Sequence, residues 1–215
     1  SDGFTTGNAA GASKGPSNNS GDAYVSWNWK AGGSGSANTS GTINSTVSAN
    51  TDAGFSVVSF TGTGSAETVG HGLSTTPRLI MFKNLATSDD WMVFTYRLTS
   101  LNEMNLNENH ASTVTNVFND TNPTSTVFSV GAENATNKSG DAIIAYCFHD
   151  VDGFSKFDSY EGNNLDNGTY VYTGFRPMLV IVKNIDSTGE WILQDTKRTL
   201  YNYDDIEALR WNNPV

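Results

Sequence analysis

Acidic side chains are the residues of this chain that could support hydrolytic chemistry. Two carboxylates that face each other across a sugar can hydrolyse a glycosidic bond. The acidic candidates are Asp89, Asp90, Asp195, Asp204, Asp205 and Glu207. None of them lies in a motif that would keep one carboxyl group protonated beside an ionised partner. Most lie in turn-like sequence, where aspartate is favoured because its side chain hydrogen-bonds the local backbone. We therefore predict no catalytic residues and a protein that is not an enzyme.

Metal-binding and nucleophile patterns are equally sparse. His71, His110 and His149 are far apart in the sequence and lack metal-ligand spacing. Residues 149–153 place two alternating acids before a glycine, as a calcium loop does, but they lack the later glutamate of an EF-hand, and a turn between strands is favoured. The single cysteine, Cys147, rules out a disulfide within the chain, and its apolar neighbours predict a small buried side chain. We expect no metal and no cofactor.

Aromatic side chains are the remaining candidates for a ligand site, because a ring on a β surface can stack on a sugar. Tyr201, Tyr203 and Trp211 lie in an irregular and less apolar stretch. They are the predicted contact residues, and packing against an adjoining unit is the alternative reading that we favour. Trp91 and Trp191 hold equivalent positions in a repeat, which predicts a shared role in the core.

An internal repeat organises the elements that would position these residues. The segment Pro77–Asn84, followed by Trp91, recurs 100 positions later as Pro177–Asn184, followed by Trp191. Gly54-Phe55-Ser56 recurs at 153–155, with a shift smaller by one residue, as a bulge would allow. A repeat of this kind indicates a reused structural unit. We name residues 54–100 and 153–200 the first and second opening halves.

A second similarity joins the beginning of the chain to its middle. It consists of three pairs of segments: 20–23 with 139–142, 24–29 with 143–148, and 3–7 with 127–131. We name residues 1–30 and 126–148 the closing halves.

The order of these halves predicts four segments. They are a closing half at 1–33, a linker with a short strand at 34–53, a complete β unit at 54–150, and the opening half of a second unit at 151–215. Residues 31–41 have the composition of a flexible tether, and residues 42–49 alternate as a strand does. An isolated half unit leaves strand edges unpaired. The two isolated halves are complementary in type, and both pairing within one chain and pairing between copies stay open.

Strand chemistry dominates the repeat. Leu79–Phe82 and Leu179–Val182 are near-continuous apolar runs, which predicts central strands that are covered on both sides. Short polar loops then lead to Trp91–Phe94 and Trp191–Leu193, as in hairpins. Charged residues make up only 16% of the chain, and turn-forming and β-branched residues are abundant. We predict an all-β fold of antiparallel β-sandwich or jelly-roll-like units in tandem, with 203–209 as a helix candidate.

The charge of the chain limits its partners. A formal net charge of −10 argues against nucleic-acid binding, which needs a basic surface, and against docking on bare anionic lipid. No run of about 18 apolar residues is present, so we expect no membrane insertion. The first residues are polar and lack Lys and Arg, so we expect no signal peptide.

Several motifs resemble repeats in large virion proteins of marine bacteriophages. They are Tyr24–Gly33 with Gly41–Asn50, Gly54–Ala66 with Val69–Leu73, and Tyr172–Pro177 with Asp195–Arg198. The resemblance covers nearly the whole chain. It implies a tail-fibre-like or other structural protein of the virion exterior, of a kind often found beside concanavalin-like sandwich domains, and it supplies no catalytic residues.

On this resemblance we expect a role in spacing or host attachment. The expected partners are other copies of the chain in a homo-oligomer, for example a trimer, together with other virion proteins and a cell-surface glycan. The alternative is a lectin-like carbohydrate-binding module of a secreted bacterial protein.

Overall fold

The computed structural model of the chain describes residues 3–6, 20–21, 24, 26–98, 102–197 and 209–212. Its strands are β1 (Ser36–Asn38), β2 (Ser45–Asn50), β3 (Phe55–Thr61), β4 (Glu67–Gly70), β5 (Leu79–Asn84), β6 (Met92–Thr95), β7 (Asn102–Asn105), β8 (Thr113–Val114), β9 (Val127–Val130), β10 (Ala142–Phe148), β11 (Leu179–Val182), β12 (Ile192–Asp195) and β13 (Leu209–Arg210). One helical turn, α1 (Asn134–Asn137), joins β9 to β10. The all-β prediction is confirmed.

The main sheet has eight strands in the order β1-β2-β3-β10-β5-β6-β7-β8, and the pairs are antiparallel. β10 enters between β3 and β5, so that Ala145 lies opposite Val58 on one side and Phe82 on the other. Two strands that are distant in sequence are therefore joined by a third that follows them in the chain. The closing half supplies that third strand.

The inner face of the main sheet carries the larger core. Alternation along the strands places Val58, Phe82 and Ala145 on this face, where all three are fully buried. The two-stranded sheet formed by β4 and β9 covers them, and the ring of Phe128 on β9 meets that of Phe82 edge-on at 5.2 Å. This layer of β4 and β9 over the main sheet is what makes the unit a sandwich.

The second opening half supplies β11 and β12, which with β13 form a separate sheet in the order β11-β12-β13. It packs on the outer face of the main sheet, where Trp191 joins Val93, Met104 and Leu106 in one buried cluster. Met81 and its repeat counterpart Ile181 pack against the same cluster. Equivalent faces of the two repeated hairpins are therefore turned towards each other.

The predicted linker at 31–41 lies against the sheet. Ala37 on β1 pairs with Thr46, and the Ser48 hydroxyl donates a hydrogen bond to the Gly33 carbonyl at 2.7 Å. A Cβ on Gly32 would lie 2.1 Å from the Ala49 carbonyl oxygen, so this contact requires glycine. The flexible tether predicted from composition is thus wrong, because the small residues permit close backbone packing.

Two strand-level expectations also differ from the structure. β5 is a covered central strand as predicted, but β11 lies at the edge of its sheet and Val180 is 38% exposed. The apolar run predicted the β11 strand correctly and its neighbours wrongly, because no strand among the described residues lies beside β11 where β10 lies beside β5. In the helix candidate at 203–209, Leu209 begins β13, and residues 203–208 lie outside the described residues.

Substitution of Gly62 tests the backbone contact between the first opening half and residues 138–141 of the closing half. The Gly62 N–H donates to the Asp141 carbonyl at 2.9 Å, and an added Cβ would lie 2.2 Å from the Lys138 carbonyl oxygen. We expect Gly62→Ala to lower the free energy of unfolding by about 1–3 kcal/mol, because the backbone must shift. Urea unfolding followed by tryptophan fluorescence measures this.

The repeat supplies a matched control at Gly162, the counterpart of Gly62. A Cβ there would meet nothing within 4 Å, and neither glycine has a positive φ. Gly162→Ala should change the free energy of unfolding by less than about 0.5 kcal/mol. Equal losses at the two positions would contradict this assignment of the closing contact.

Candidate interaction surface

Large apolar side chains are exposed along the second opening half. They are Phe154, Tyr160, Leu165, Tyr170, Val171, Tyr172, Met178 and Val180. The repeat shows how unusual this is, because Phe55 is 5% exposed and its counterpart Phe154 is 58% exposed. Ile80 is 1% exposed, against 38% for its counterpart Val180. The same sequence pattern thus produces a core in one place and an apolar surface in the other, and such surfaces mark interaction sites.

β11 combines this exposed face with an open strand edge. In the first copy, β5 pairs with β10 on one side and with β6 on the other. In the second copy, β11 pairs with β12 on one side, and the described residues provide no strand on the other. An open edge presents backbone donors and acceptors to any extended chain that can lie alongside it.

The two hairpins are nevertheless built alike. Leu79 lies opposite Thr95, and Leu179 lies opposite Asp195, which is the same pairing shifted by 100 positions. The Tyr96 N–H donates to the Arg78 carbonyl at 3.0 Å, and its counterpart on Thr196 donates to the Met178 carbonyl at 3.0 Å. The difference between the copies therefore lies in what surrounds each hairpin.

The repeat also extends further than sequence comparison indicates. The N–H of Trp91 donates to Asn107 Oδ1, and the N–H of Trp191 donates to Asn212 Oδ1, both at 2.9 Å. The backbone N–H of the residue before each asparagine donates to the carbonyl of the same tryptophan. Leu106 donates to Trp91 at 2.9 Å, and Trp211 donates to Trp191 at 3.1 Å. β7 and β13 are thus equivalent. The only sequence signal is an asparagine after an apolar residue, which is too common to detect.

Trp191 fixes the second hairpin on the first. Its side chain is buried, and its indole Nε1 donates to the Asn105 carbonyl at 2.9 Å. Trp91 is half-buried, packs against the same cluster and stacks on Tyr146 at 6.2 Å. The predicted core role thus holds for Trp191, whereas Trp91 lies half-buried at the margin of the same cluster.

The predicted contact residues are described only in part. Trp211 follows β13 and is 44% exposed, while its backbone N–H is bonded to Trp191. Tyr201 and Tyr203 lie outside the described residues. Trp211 thus lies on the surface, as a contact residue must, and its role in binding stays a prediction.

The described acidic residues among the sequence candidates accept hydrogen bonds from nearby polar groups. Both carboxylate oxygens of Asp90 accept bonds, from Asn105 Nδ2 at 2.8 Å and Asn107 Nδ2 at 2.6 Å. Asp89 accepts from the Thr87 hydroxyl at 2.6 Å, and Asp195 accepts from the Lys197 N–H at 3.0 Å. Asp204, Asp205 and Glu207 lie outside the described residues. Asp89 and Asp195 thus make local turn bonds, as the sequence indicated, whereas Asp90 joins its turn to Asn105 at the end of β7 and to Asn107.

The turn after β10 has the same character. Asp150 Oδ1 accepts from the Phe157 N–H at 2.8 Å, and Asp150 Oδ2 accepts from Lys156 Nζ at 2.9 Å. In the described part of the chain no group of three or more His, Cys, Asp or Glu side chains is placed to hold a metal ion. None of the helical structure in that part has the length and apolar character that a membrane crossing requires.

A charged cluster anchors the segment after β10 to the first hairpin. Asp158 accepts hydrogen bonds from Arg97 and from the Tyr96 hydroxyl. The bond from Arg97, together with a bond from the Ser159 N–H, lowers the pKa of Asp158 to about 2. The Arg78 guanidinium lies 3.9 Å from the centre of the Tyr96 ring.

This anchor cannot form in the second copy. The counterparts of Arg78, Tyr96 and Arg97 are Met178, Thr196 and Lys197. An aromatic ring and the guanidinium groups that pack on it are therefore missing there. This difference helps to explain why the second hairpin remains uncovered.

Several ionisable side chains are buried in the complete unit, among them His71 and Glu103. His71 is fully buried; its Nδ1 accepts from the Leu73 N–H at 3.1 Å and its Nε2 donates to the Thr124 carbonyl at 3.3 Å. Burial lowers the pKa of His71 to about 4. Burial also raises the pKa of Glu103 on β7. Neither burial could be predicted from the sequence, because His71 lies between two glycines and Glu103 lies between Asn102 and Met104.

Substitution of the buried Trp191 and of the exposed Trp211 should distinguish a core role from a surface role. We expect Trp191→Ala to lower the free energy of unfolding by about 3–5 kcal/mol, because it removes a buried ring and leaves the Asn105 carbonyl without its donor. Trp211→Ala keeps the backbone bond and should cost less than about 0.5 kcal/mol. Chemical denaturation of both variants tests this, and a Trp191 variant as stable as the parent would show that the hairpins are not packed as described.

The buried neutral His71 predicts a loss of stability in acid. Its pKa falls from 6.5 to about 4 on folding, so stability is full above pH 6.5 and is lost as the pH falls towards 4. Between pH 7.5 and 5.0 the loss from this residue should be about 2 kcal/mol. Urea titrations of the parent and of His71→Asn at both pH values measure it. The variant should lose correspondingly less, and identical pH dependence would contradict the assignment.

Comparison with known proteins identifies a family for this chain and assigns it no activity. No curated protein and no solved structure matches the chain. Residues 1–214 match a family described as "Domain of unknown function (DUF7483)". Because the match spans almost every residue, the chain belongs to the DUF7483 family.

Proposed function

We propose that the chain is a structural and adhesive module of a virion appendage, such as a phage tail fibre, that acts as a spacer or in host-surface attachment. The resemblance of its motifs to virion repeats supports this. So does one structural observation, the packing of two copies of the same hairpin through equivalent faces. This packing is a unit-to-unit junction of the kind from which an extended spacer can be built.

The junction has properties that suit a spacer. Trp191 is buried and hydrogen-bonded across it, so the angle between the two hairpins is fixed by packing and by one directed bond. Ile181 and Ile185 from the second copy pack against the same cluster as Leu79 and Met81 from the first. A stiff junction that recurs along a polypeptide holds its modules at a constant spacing, as quasi-one-dimensional repeat proteins do.

Attachment would depend on many weak contacts rather than on a single deep binding site. A homo-oligomer of such modules, for example a trimer on the virion exterior, multiplies weak contacts with a host glycan. The net charge of −10 favours a neutral polar glycan, or an anionic one bridged by divalent cations. This role requires no catalysis, and we propose that the chain is not an enzyme.

A lectin-like carbohydrate-binding module is the second candidate. The observation that favours it is the exposure of Tyr170, Tyr172 and Trp211, because exposed aromatic rings can stack on sugars. This reading shares the glycan contact with the first and differs in location, since a secreted bacterial protein would carry it.

Location on intact particles tests the leading proposal. Antibodies raised against this chain are expected to label the tail or a fibre of intact virions in electron micrographs, because an attachment module must face the medium. Disrupted particles serve as the control for epitope access. Labelling that is confined to disrupted particles, or absent from both, would contradict an exterior role.

A glycan array tests the second candidate. If the chain is a lectin-like module, we expect glycan binding that falls by about tenfold in Tyr172→Ala, which corresponds to the loss of one stacking contact. Val114→Ala, at an exposed valine on β8, is the matched control. The array is read with and without calcium. Absence of binding in both conditions would remove this candidate and leave the spacer role.

A further inference from the structure

The complete unit shows what belongs beside the open edge of β11. There, β10 lies between β3 and β5 and pairs with both. The counterpart of β5 is β11, and that of β3 is the segment 154–160. The counterpart of β10 is the segment 23–29 in the first closing half. The chain therefore contains two segments of the β10 type. The complete unit uses one of them, and the segment 23–29 is the other.

Within the described residues neither member of this second pair has a strand partner. β11 pairs on one side with β12 and has no described strand on the other, and residues 26–30 form no strand. Trp29 is 44% exposed, whereas its counterpart Phe148 on β10 is buried. An extended segment and an open strand edge of matching type are thus present together and are not joined to each other within the described residues.

The rest of the closing half has a matching surface as well. Phe128 on β9 is 1% exposed because its ring packs on Phe82 at 5.2 Å and on Phe60 at 6.1 Å. Its counterpart Phe4 is 66% exposed. The counterparts of Phe82 and Phe60 are Val182, which is half-buried, and Tyr160, which is exposed. Phe4 is thus exposed, and the surface on which its counterpart packs has an equivalent in the second opening half that is not fully covered.

The described end of the first closing half lies away from β11 of its own chain. Asn50 Nδ2 donates to the Lys30 carbonyl at 3.0 Å, and the Trp29 ring lies 6.1 Å from that of Phe148. These contacts hold residues 29–30 beside β2 and β10 of the main sheet. Pairing of Trp29 with Leu179, the counterpart of the Phe148–Leu79 pair, would break them. Residues 29–30, as described, are therefore not available to the β11 edge of their own chain.

We propose that the first closing half of one copy docks on the second opening half of another copy, with residues 24–29 added as a strand along β11. The repeat fixes the register: Trp29 lies opposite Leu179, Asn28 opposite Val180, and Ser26 opposite Val182. Phe4 of the docking copy covers Val182. Strand addition of this kind combines backbone hydrogen bonds with side-chain pockets.

The association is head to tail, so it leaves a free closing half at one end and a free opening half at the other. A heterologous contact that does not close into a ring continues as an open chain of copies. The inference stands on the repeat and not on the location of the protein. A chain that binds no glycan and labels no virion would still associate in this way, so the two proposals can fail separately.

Engineered cysteines test the register. Asn28→Cys and Val180→Cys, made in separate chains and mixed under mild oxidation, should form a disulfide-linked dimer, because the two positions lie opposite each other. The native Cys147 does not compete, since it is fully buried and burial raises the pKa of its thiol to about 12. Each variant oxidised alone gives the background of like pairs.

The control moves one thiol by a single residue. Trp27→Cys mixed with Val180→Cys places the two thiols on opposite faces of the shared sheet, because side chains alternate along a strand. Cross-linking of the first mixture well above both backgrounds and above this control supports the proposal. Equal cross-linking of the two mixtures, or none in either, overturns it.

Self-association provides the second readout. Sedimentation equilibrium of the parent should show open-ended association that rises with concentration. Val180→Glu should weaken it by about tenfold or more, because a charge would be buried at the contact without a partner. Val114→Glu, at an exposed valine of β8, should leave it unchanged, and unfolding midpoints confirm that both variants fold. A parent that remains monomeric, or association that both variants weaken equally, overturns the proposal.

Discussion

The pairing of β10 with two strands at once is the constraint on which this structure depends. Backbone donors and acceptors of a strand must be satisfied on both sides, and β10 satisfies one side of β3 and one side of β5. Because β10 arrives only after the intervening hairpins, the inner core under Val58 and Phe82 is complete only when the closing half is in place. The division of the unit into two halves is thus a division between an open sheet and the strand that closes it.

The second hairpin shows the outcome when this strand is missing. Its internal hydrogen bonds and pairing reproduce those of the first, yet Val180 is exposed where Ile80 is buried. Asn84, fully buried, donates to the Asn134 carbonyl at 3.0 Å, whereas its counterpart Asn184 is exposed and accepts bonds from the turn that follows it. Local geometry is therefore a property of the hairpin, and burial is a property of its neighbours.

These features together describe a module made to be joined to others. One junction is within the chain, where Trp191 seats the second hairpin on the outer face of the first. A second, between copies, follows if the open edge of β11 receives a closing half. A spacer in a virion appendage needs such repeated, directional junctions, and it needs exposed surface for contact with its target.

The candidate surface could be predicted only in part. The repeat located both hairpins and assigned Trp191 to the core, and it showed that one closing half and one opening half were left over. The aromatic residues chosen for contact, Tyr201, Tyr203 and Trp211, came from composition alone, and of these Trp211 is described and lies on the surface. The exposure of Phe154 and Val180 was not predicted, because their sequence is that of buried strand residues.

The amino-acid sequence by itself determined the strands, the hairpin pairing and the all-β class, since alternation, turn residues and repetition are local properties. Tertiary structure alone decided which strands became central. It also decided that residues 31–41 lie against the sheet and that His71 is fully buried. The physical reason is that burial depends on what covers a residue. For β11 the covering strand has to come from a part of the polypeptide that local sequence does not specify.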